Sequence, residues 1–189
     1  MMLKLRQFGL FCVLGLALVA AAACNRYEVD KANKLVDAAN VSIKEVSDKA
    51  DSVTSRTEQM DAGVESVEDE DGLTKLRTDA KAIIADCEKV RDNLTDASNK
   101  FFEAGKLKLN DKYKEYLDTK GQEMKKRSEM FGTLIGIPQA LIDSPNREQY
   151  HQKSIEVKTK YESLQKEADD LGSKASKIYE ENKSLFRQS

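Results

Sequence analysis

The chain has 189 residues, of which 34% are charged and only 6% aromatic, with nine glycines, two prolines and no tryptophan. Few helix breakers and many charges are typical of long helices or coiled coils. The formal net charge is −2 and no basic block stands out, which argues against a nucleic-acid-binding protein.

The first 24 residues are organised as a secretory signal peptide. Lys4 and Arg6 precede an apolar run of about 16 residues that ends in four alanines and Cys24. A basic start, a short apolar stretch and small residues before a cleavage site define such peptides. The run is shorter than the roughly 20 residues that a membrane-spanning helix needs. An uncut membrane anchor is therefore the weaker alternative.

The residues around the cleavage site resemble a known motif. Ala21, Ala22, Ala23 and Cys24 resemble the lipobox of bacterial lipoproteins, although leucine is preferred at the position of Ala21. The resemblance implies cleavage after Ala23, a diacylglycerol on the Cys24 thiol and usually an acylated amine. Because Asn25 is not the aspartate that retains enterobacterial lipoproteins at the inner membrane, the resemblance favours the outer membrane. The alternative is ordinary secretion, with cleavage after an A-x-A sequence and Cys24 incidental.

Removal of residues 1–23 from the 189 leaves 166 residues, which is enough for one domain with a core. The loss of Lys4 and Arg6 leaves 29 basic residues against 33 acidic ones. We predict that residues 24–189 form one all-α domain, a long antiparallel four-helix bundle with coiled-coil-like heptad packing. The predicted helices cover about 28–67, 73–104, 110–142 with a break near 132–138, and 145–187.

The first predicted helix carries apolar residues at alternating spacings of three and four, beginning at Val29, which is a heptad seam. The seam is narrow and consists mostly of valine and alanine, so this helix needs partner helices. An acidic run follows it, and Asp71 is the predicted cap of the second helix. Cys87 lies on the seam of that second helix, where we expect a small buried residue and not a redox group.

The third predicted helix begins after a turn at 104–110, with Asn110 or Asp111 as its cap. Lys120 and Arg127 fall at seam spacing in this helix. Three interpretations stand: their charged ends reach outward to solvent, they pair with acids on a neighbouring helix, or they line an anion pocket between helices.

The most apolar part of the mature chain is MFGTLIGIPQALI, residues 130–142. Gly132, Gly136 and Pro138 predict a kinked or broken helix end there. Two interpretations stand: a hydrophobic plug that closes one end of the bundle, or an exposed tip that contacts a partner or a membrane. The residues of this candidate tip are Met130, Phe131, Leu134, Ile135, Ile137, Leu141 and Ile142.

The fourth predicted helix begins at Ser144 and Pro145, a hydroxyl cap followed by proline at the first helical position. Glu148 and His151 form an E-x-x-H sequence near its start, as in half of a ferritin-like di-iron site. His151 is the only histidine, so the second half cannot exist, and multi-histidine metal sites are excluded. With no phosphate-binding glycine loop either, we expect no metal, no cofactor and no enzyme activity.

These observations predict a non-catalytic, lipid-anchored protein of the cell envelope that acts as a helical scaffold, spacer or adaptor for another envelope protein. One alternative is a periplasmic ligand-binding or sensor bundle with a closed pocket between helices. Another is a surface-exposed adhesin. The sequence leaves open the partner, the leaflet, a homo-oligomeric state, and whether the second and third helices run together.

Overall fold

The structure is a computed structural model that describes the backbone of residues 4–67 and 69–186, and the side chains of residues 26–67, 69, 71–183 and 186. No described residue lies in a β-strand. The helices are α1 (Lys4–Ser66), α2 (Glu70–Gly105), α3 (Asp111–Leu134), α4 (Gly136–Asp143) and α5 (Arg147–Phe186).

The helices form an all-α bundle, as the heptad spacing predicts. α1 packs along α2, α2 along α3, and α3 along α5, while the short α4 covers one end by contacting α2, α5 and α1. Because α4 continues the path of α3, the five helices form four arms. A turn at 106–110 separates α2 from α3, which rules out one continuous helix in this region.

Asparagine and aspartate side chains fix the starts of the later helices. Asn110 caps α3 by accepting a 2.8 Å hydrogen bond from the Tyr113 N–H. α2 is capped by Asp69, which accepts from the Gly72 N–H at 2.7 Å, so the prediction of Asp71 is wrong. A cap needs extended backbone, which Asp69 has, whereas Asp71 already lies in the first turn of α2.

The predicted break in the apolar segment lies between α3 and α4. α3 ends at Leu134, and Ile135 has helical backbone angles of φ −52° and ψ −30°, so the chain bends here without leaving the helical region. Pro138 has no N–H to donate to the Leu134 carbonyl four residues earlier. The missing hydrogen bond explains why one predicted helix becomes two.

One row of the α1 seam forms the core against α2. Ala39, Val46 and Val53 are almost completely buried. On α2, Cys87 is fully buried, and burial raises the pKa of its thiol to about 12. The thiol is therefore protonated at neutral pH, as expected of a small packed residue and not of a reactive cysteine.

The two ends of the bundle differ in what they bring together. At one end, which we call the near end, the Lys108 N–H donates to Glu28 at 3.3 Å and the Tyr113 hydroxyl donates to Asn33 at 2.6 Å. Phe186 stacks on Tyr113 with ring centroids 4.8 Å apart. The α2–α3 turn and the end of α5 thus lie beside the first described side chains of α1. The α1–α2 turn and α4 lie at the opposite, far end.

Candidate functional site

The second row of the α1 seam lacks the cover that the first row has. Val36, Ile43 and Ala50 repeat every seven residues and are half-buried, whereas Thr57, next in the row, is only 2% exposed. In a closed four-helix bundle this row would pack against the neighbouring helix. Within the described part of the chain, α1 and α5 do not pack along each other. The bundle is therefore open between its first and last helices.

The opening forms a groove that we call the α1–α5 groove. Its larger part has a volume of about 440 Å³, with Leu94, Met130 and Phe131 among its apolar lining. An adjoining part of about 250 Å³ is lined by Leu134 and Ile137. Each of these five side chains is at most 5% exposed, so the groove has a packed apolar floor.

Tyr161 of α5 lines both parts of the groove, as does Thr54 of α1. The Thr54 hydroxyl donates a hydrogen bond to the Ala50 carbonyl at 3.0 Å. Burial raises the pKa of Tyr161, which keeps the hydroxyl protonated. Tyr161 and Thr54 therefore mark the place where the two parts of the groove meet.

Polar side chains close the groove at the far end. The Asp61 carboxylate accepts a hydrogen bond from the Tyr150 hydroxyl at 2.6 Å and pairs with the Lys158 ammonium at 2.6 Å. His151 lies 3.1 Å from Glu65, half-exposed on the surface. Burial and the neighbouring Asp61 raise the pKa of Tyr150. These contacts join α1 to the start of α5.

The structure buries most of the candidate tip. Met130, Phe131, Leu134, Ile137 and Leu141 are 3–5% exposed, and Ile135 and Ile142 are half-buried. The segment packs as a plug, because α4 folds over the end of α2 and α5. The fold therefore does not expose this segment as an apolar tip. Four of the buried side chains instead form the floor of the α1–α5 groove.

The two cations of the candidate anion pocket already hold an anion of the chain itself. Glu123, which is 5% exposed, pairs with Lys120 at 2.7 Å and with Arg127 at 3.0 Å. Arg127 also pairs with Asp169 of α5 at 3.1 Å. Arg127 thus pairs with an acid on a neighbouring helix, as one of the three interpretations has it, whereas the carboxylate that pairs with Lys120 lies on α3 itself. Both cations are occupied by carboxylates of the chain.

Glu123 was not among the residues predicted from the sequence. Its spacing of three from Lys120 and four from Arg127 gave a signal, since such pairs share one face of a helix. No sequence pattern pointed to Gly172 of α5. A Cβ atom at this position would lie 3.1 Å from the Glu123 carboxylate, so the absence of a side chain at Gly172 leaves space for that carboxylate.

Among the described residues, no group of three or more histidine, cysteine, aspartate or glutamate side chains could hold a metal ion. The same part of the chain contains no helix that is long and apolar enough to cross a membrane. The Cys24 side chain and the cleavage site after Ala23 lie outside the described side chains. No protein-family model matches this chain, and neither does any curated protein or solved structure.

Proposed function

We propose that this chain is a non-catalytic, lipid-anchored adaptor of the cell envelope that docks a helical segment of another envelope protein in the α1–α5 groove. The observation that carries the proposal is the half-buried row of Val36, Ile43 and Ala50 beside a packed apolar floor. A seam of this kind is half of a helix–helix interface.

The geometry favours a helix as the docked segment. The row on α1 repeats every seven residues, and a helix presents its own apolar side chains at matching intervals of three, four and seven. The larger part of the groove is open to solvent between α1 and α5, so a segment can enter it from the side. The alternative of a ligand sensor predicts a closed pocket between helices, which this groove does not resemble.

The sequence around Cys24 supports the membrane anchor. Helix α1 rises about 1.5 Å per residue, so Ile43 and Asp61 would lie roughly 30 and 55 Å from an acylated Cys24 if α1 stood upright. The near end, with the α2–α3 turn, would face the membrane. A groove at that height suits contact with a protein beyond the headgroups better than contact with the anchoring bilayer.

Photo-crosslinking in intact cells tests the proposal. A photoreactive amino acid replaces Ser47, which lines the groove, in the full chain. Val41, which is 57% exposed and lies outside the groove lining, is the matched control position on α1. We expect a discrete adduct from position 47, with mass spectrometry placing the cross-link in a helical segment of an envelope protein. Identical adducts from both positions, or none from position 47, would contradict docking in the groove.

A further inference from the structure

The α1–α5 groove has an acidic rim. Asp51 and Glu58 of α1 and Glu162 of α5 line it and are exposed. None of the three makes an ion pair within the part of the chain that the structure describes. The rim therefore presents carboxylates from both helices, and no cation among the described residues lies within ion-pair distance of them.

The described cations that line the groove, Arg127 and Lys158, are already occupied. Arg127 binds Glu123 and Asp169 at 3.0 and 3.1 Å, and Lys158 binds Asp61 at 2.6 Å. Each is therefore balanced by carboxylates of the chain. The field that a docking segment meets is negative, because the uncompensated charges are those of the rim.

The floor of the groove requires apolar side chains on the same segment. Its two parts, about 440 and 250 Å³, lie on either side of Tyr161. Each part can receive large aliphatic side chains from a helix that crosses above the tyrosine. A matching segment thus carries an apolar row flanked by positive charges.

We propose, building on the docking function above, that the partner segment is a cationic amphipathic helix with aliphatic residues on one face and lysine or arginine along both flanks. A second copy of this chain is a poor occupant, because it would bring another acidic surface to the same rim. An anionic lipid headgroup is disfavoured by the same charges. Charge complementarity across an interface selects partners and speeds association.

Two synthetic peptides of about 21 residues, three heptads long, test the charge requirement. Both carry leucine at the seam positions, and the flanking positions are lysine in one peptide and glutamate in the other. The full chain is held in nanodiscs of zwitterionic phosphatidylcholine, and empty nanodiscs measure peptide bound by lipid. Fluorescence anisotropy gives the affinities. We expect the lysine peptide to bind at least about tenfold more tightly, and to weaken as salt is raised.

A triple variant tests whether the rim itself supplies the attraction. Asp51→Asn with Glu58→Gln and Glu162→Gln neutralises the three rim carboxylates and nearly preserves their shapes. This variant should bind the lysine peptide about tenfold more weakly, because the peptide's flanking charges lose their partners.

A second triple variant separates the rim from the overall charge. Glu45→Gln with Asp48→Asn and Asp170→Asn removes the same charge, two carboxylates from α1 and one from α5. All three positions are exposed and lie outside the groove lining. This control should leave the affinity for the lysine peptide almost unchanged.

Equal binding of the two peptides, or equal weakening of binding by the two triple variants, would overturn the proposal that the partner segment is cationic. The cross-linking experiment distinguishes this failure from failure of docking itself. A partner helix captured from position 47 whose flanks are acidic or uncharged would overturn the charge requirement and leave docking in place. Absence of any position-specific adduct would remove the docking function on which this inference rests.

Discussion

Glu123 is a nearly buried carboxylate of α3 that lies against Gly172 of α5. Its carboxylate is nearly buried and faces two cations, Lys120 and Arg127, whose side chains are 22% and 31% exposed. Gly172 provides the space for it on α5. A buried carboxylate is stabilising only while its partners are present, since either side alone is left without compensation.

We predict that Glu123→Gln lowers the free energy of unfolding by about 1–3 kcal/mol. The substitution keeps the shape of the side chain but leaves Lys120 without its carboxylate partner and Arg127 with Asp169 alone. The partial exposure of both cations reduces the cost below that of a fully buried pair. Denaturant unfolding followed by circular dichroism measures the effect. Glu129→Gln is the control: that carboxylate is 41% exposed and should cost less than about 0.5 kcal/mol. Equal costs would contradict a special role for Glu123.

The start of α5 allows a second test by single substitutions, which asks which residue caps this helix. The sequence predicts Ser144 as the cap, but Ser144 ends α4 instead, and its buried hydroxyl has no hydrogen-bond partner within the described structure. Asn146 caps α5 by accepting from the Gln149 N–H at 3.0 Å. A serine–proline pair predicts a helix start, but two extra residues are needed to turn the chain after α4, which the sequence pattern does not show.

Alanine substitutions distinguish the two caps. Asn146→Ala should lower the free energy of unfolding by about 1 kcal/mol, because the first turn loses its acceptor. Ser144→Ala should leave it unchanged or raise it by up to about 1 kcal/mol, since it removes an unpaired buried hydroxyl. Thermal or denaturant unfolding of both variants checks this. A larger loss from Ser144→Ala than from Asn146→Ala would show that the sequence-based assignment was right.

At the scale of elements, the junction of α3 and α4 depends on how closely α4 approaches α5. Gly132 and Gly136 lie four residues apart, yet they have different surroundings. A Cβ atom at Gly136 would lie 2.8 Å from Cγ2 of Val157, whereas one at Gly132 would lie 3.5 Å from the flexible Arg91 side chain. Packing therefore requires glycine at position 136 and does not require it at position 132.

We predict opposite effects of alanine at these two glycines. Gly136→Ala should destabilise by about 1–3 kcal/mol, because valine is stiff at its first side-chain torsion and cannot swing away. Gly132→Ala should stabilise by up to about 1 kcal/mol through its better helix propensity. Denaturant midpoints of the two variants provide the comparison. If both substitutions shift the midpoint in the same direction, the close contact with Val157 does not constrain α4.

The heptad pattern predicts the helices, because spacings of three and four indicate which residues avoid water, and Gly132, Gly136 and Pro138 predict the break. It does not predict the groove. Val46 and Ala50 fit the α1 seam equally, yet one is buried and the other half-buried. Val46 belongs to the row that packs against α2, whereas Ala50 lines the gap between α1 and α5, which do not pack along each other. The spacing of residues along α1 gives no information about the width of the gap between α1 and α5.

At the scale of the whole molecule, the groove joins two features that the sequence treats separately. The apolar segment, predicted as a plug or a tip, supplies most of the floor, and acidic residues of α1 and α5 supply the rim. The sequence indicates that the apolar segment is unusual for a simple bundle, but its meeting with the rim requires the antiparallel order of the arms. That order also places the α2–α3 turn at the near end, beside the first described side chains of α1.

The proposed lipid anchor at Cys24 would display the groove above a membrane, and Cys24→Ala tests this proposal. We predict that the native chain has an intact mass that begins at Cys24 with added acyl groups, and that it fractionates with the outer membrane. Because each buried methylene contributes about 0.8 kcal/mol, two or three chains suffice for stable attachment. Cys24→Ala should lose the acyl mass and leave that fraction. Cys87→Ala, the control, should retain both properties, since its thiol is buried in the core. An unmodified mass that begins elsewhere, with both forms soluble, would contradict the lipid anchor and leave the groove on a freely diffusing protein.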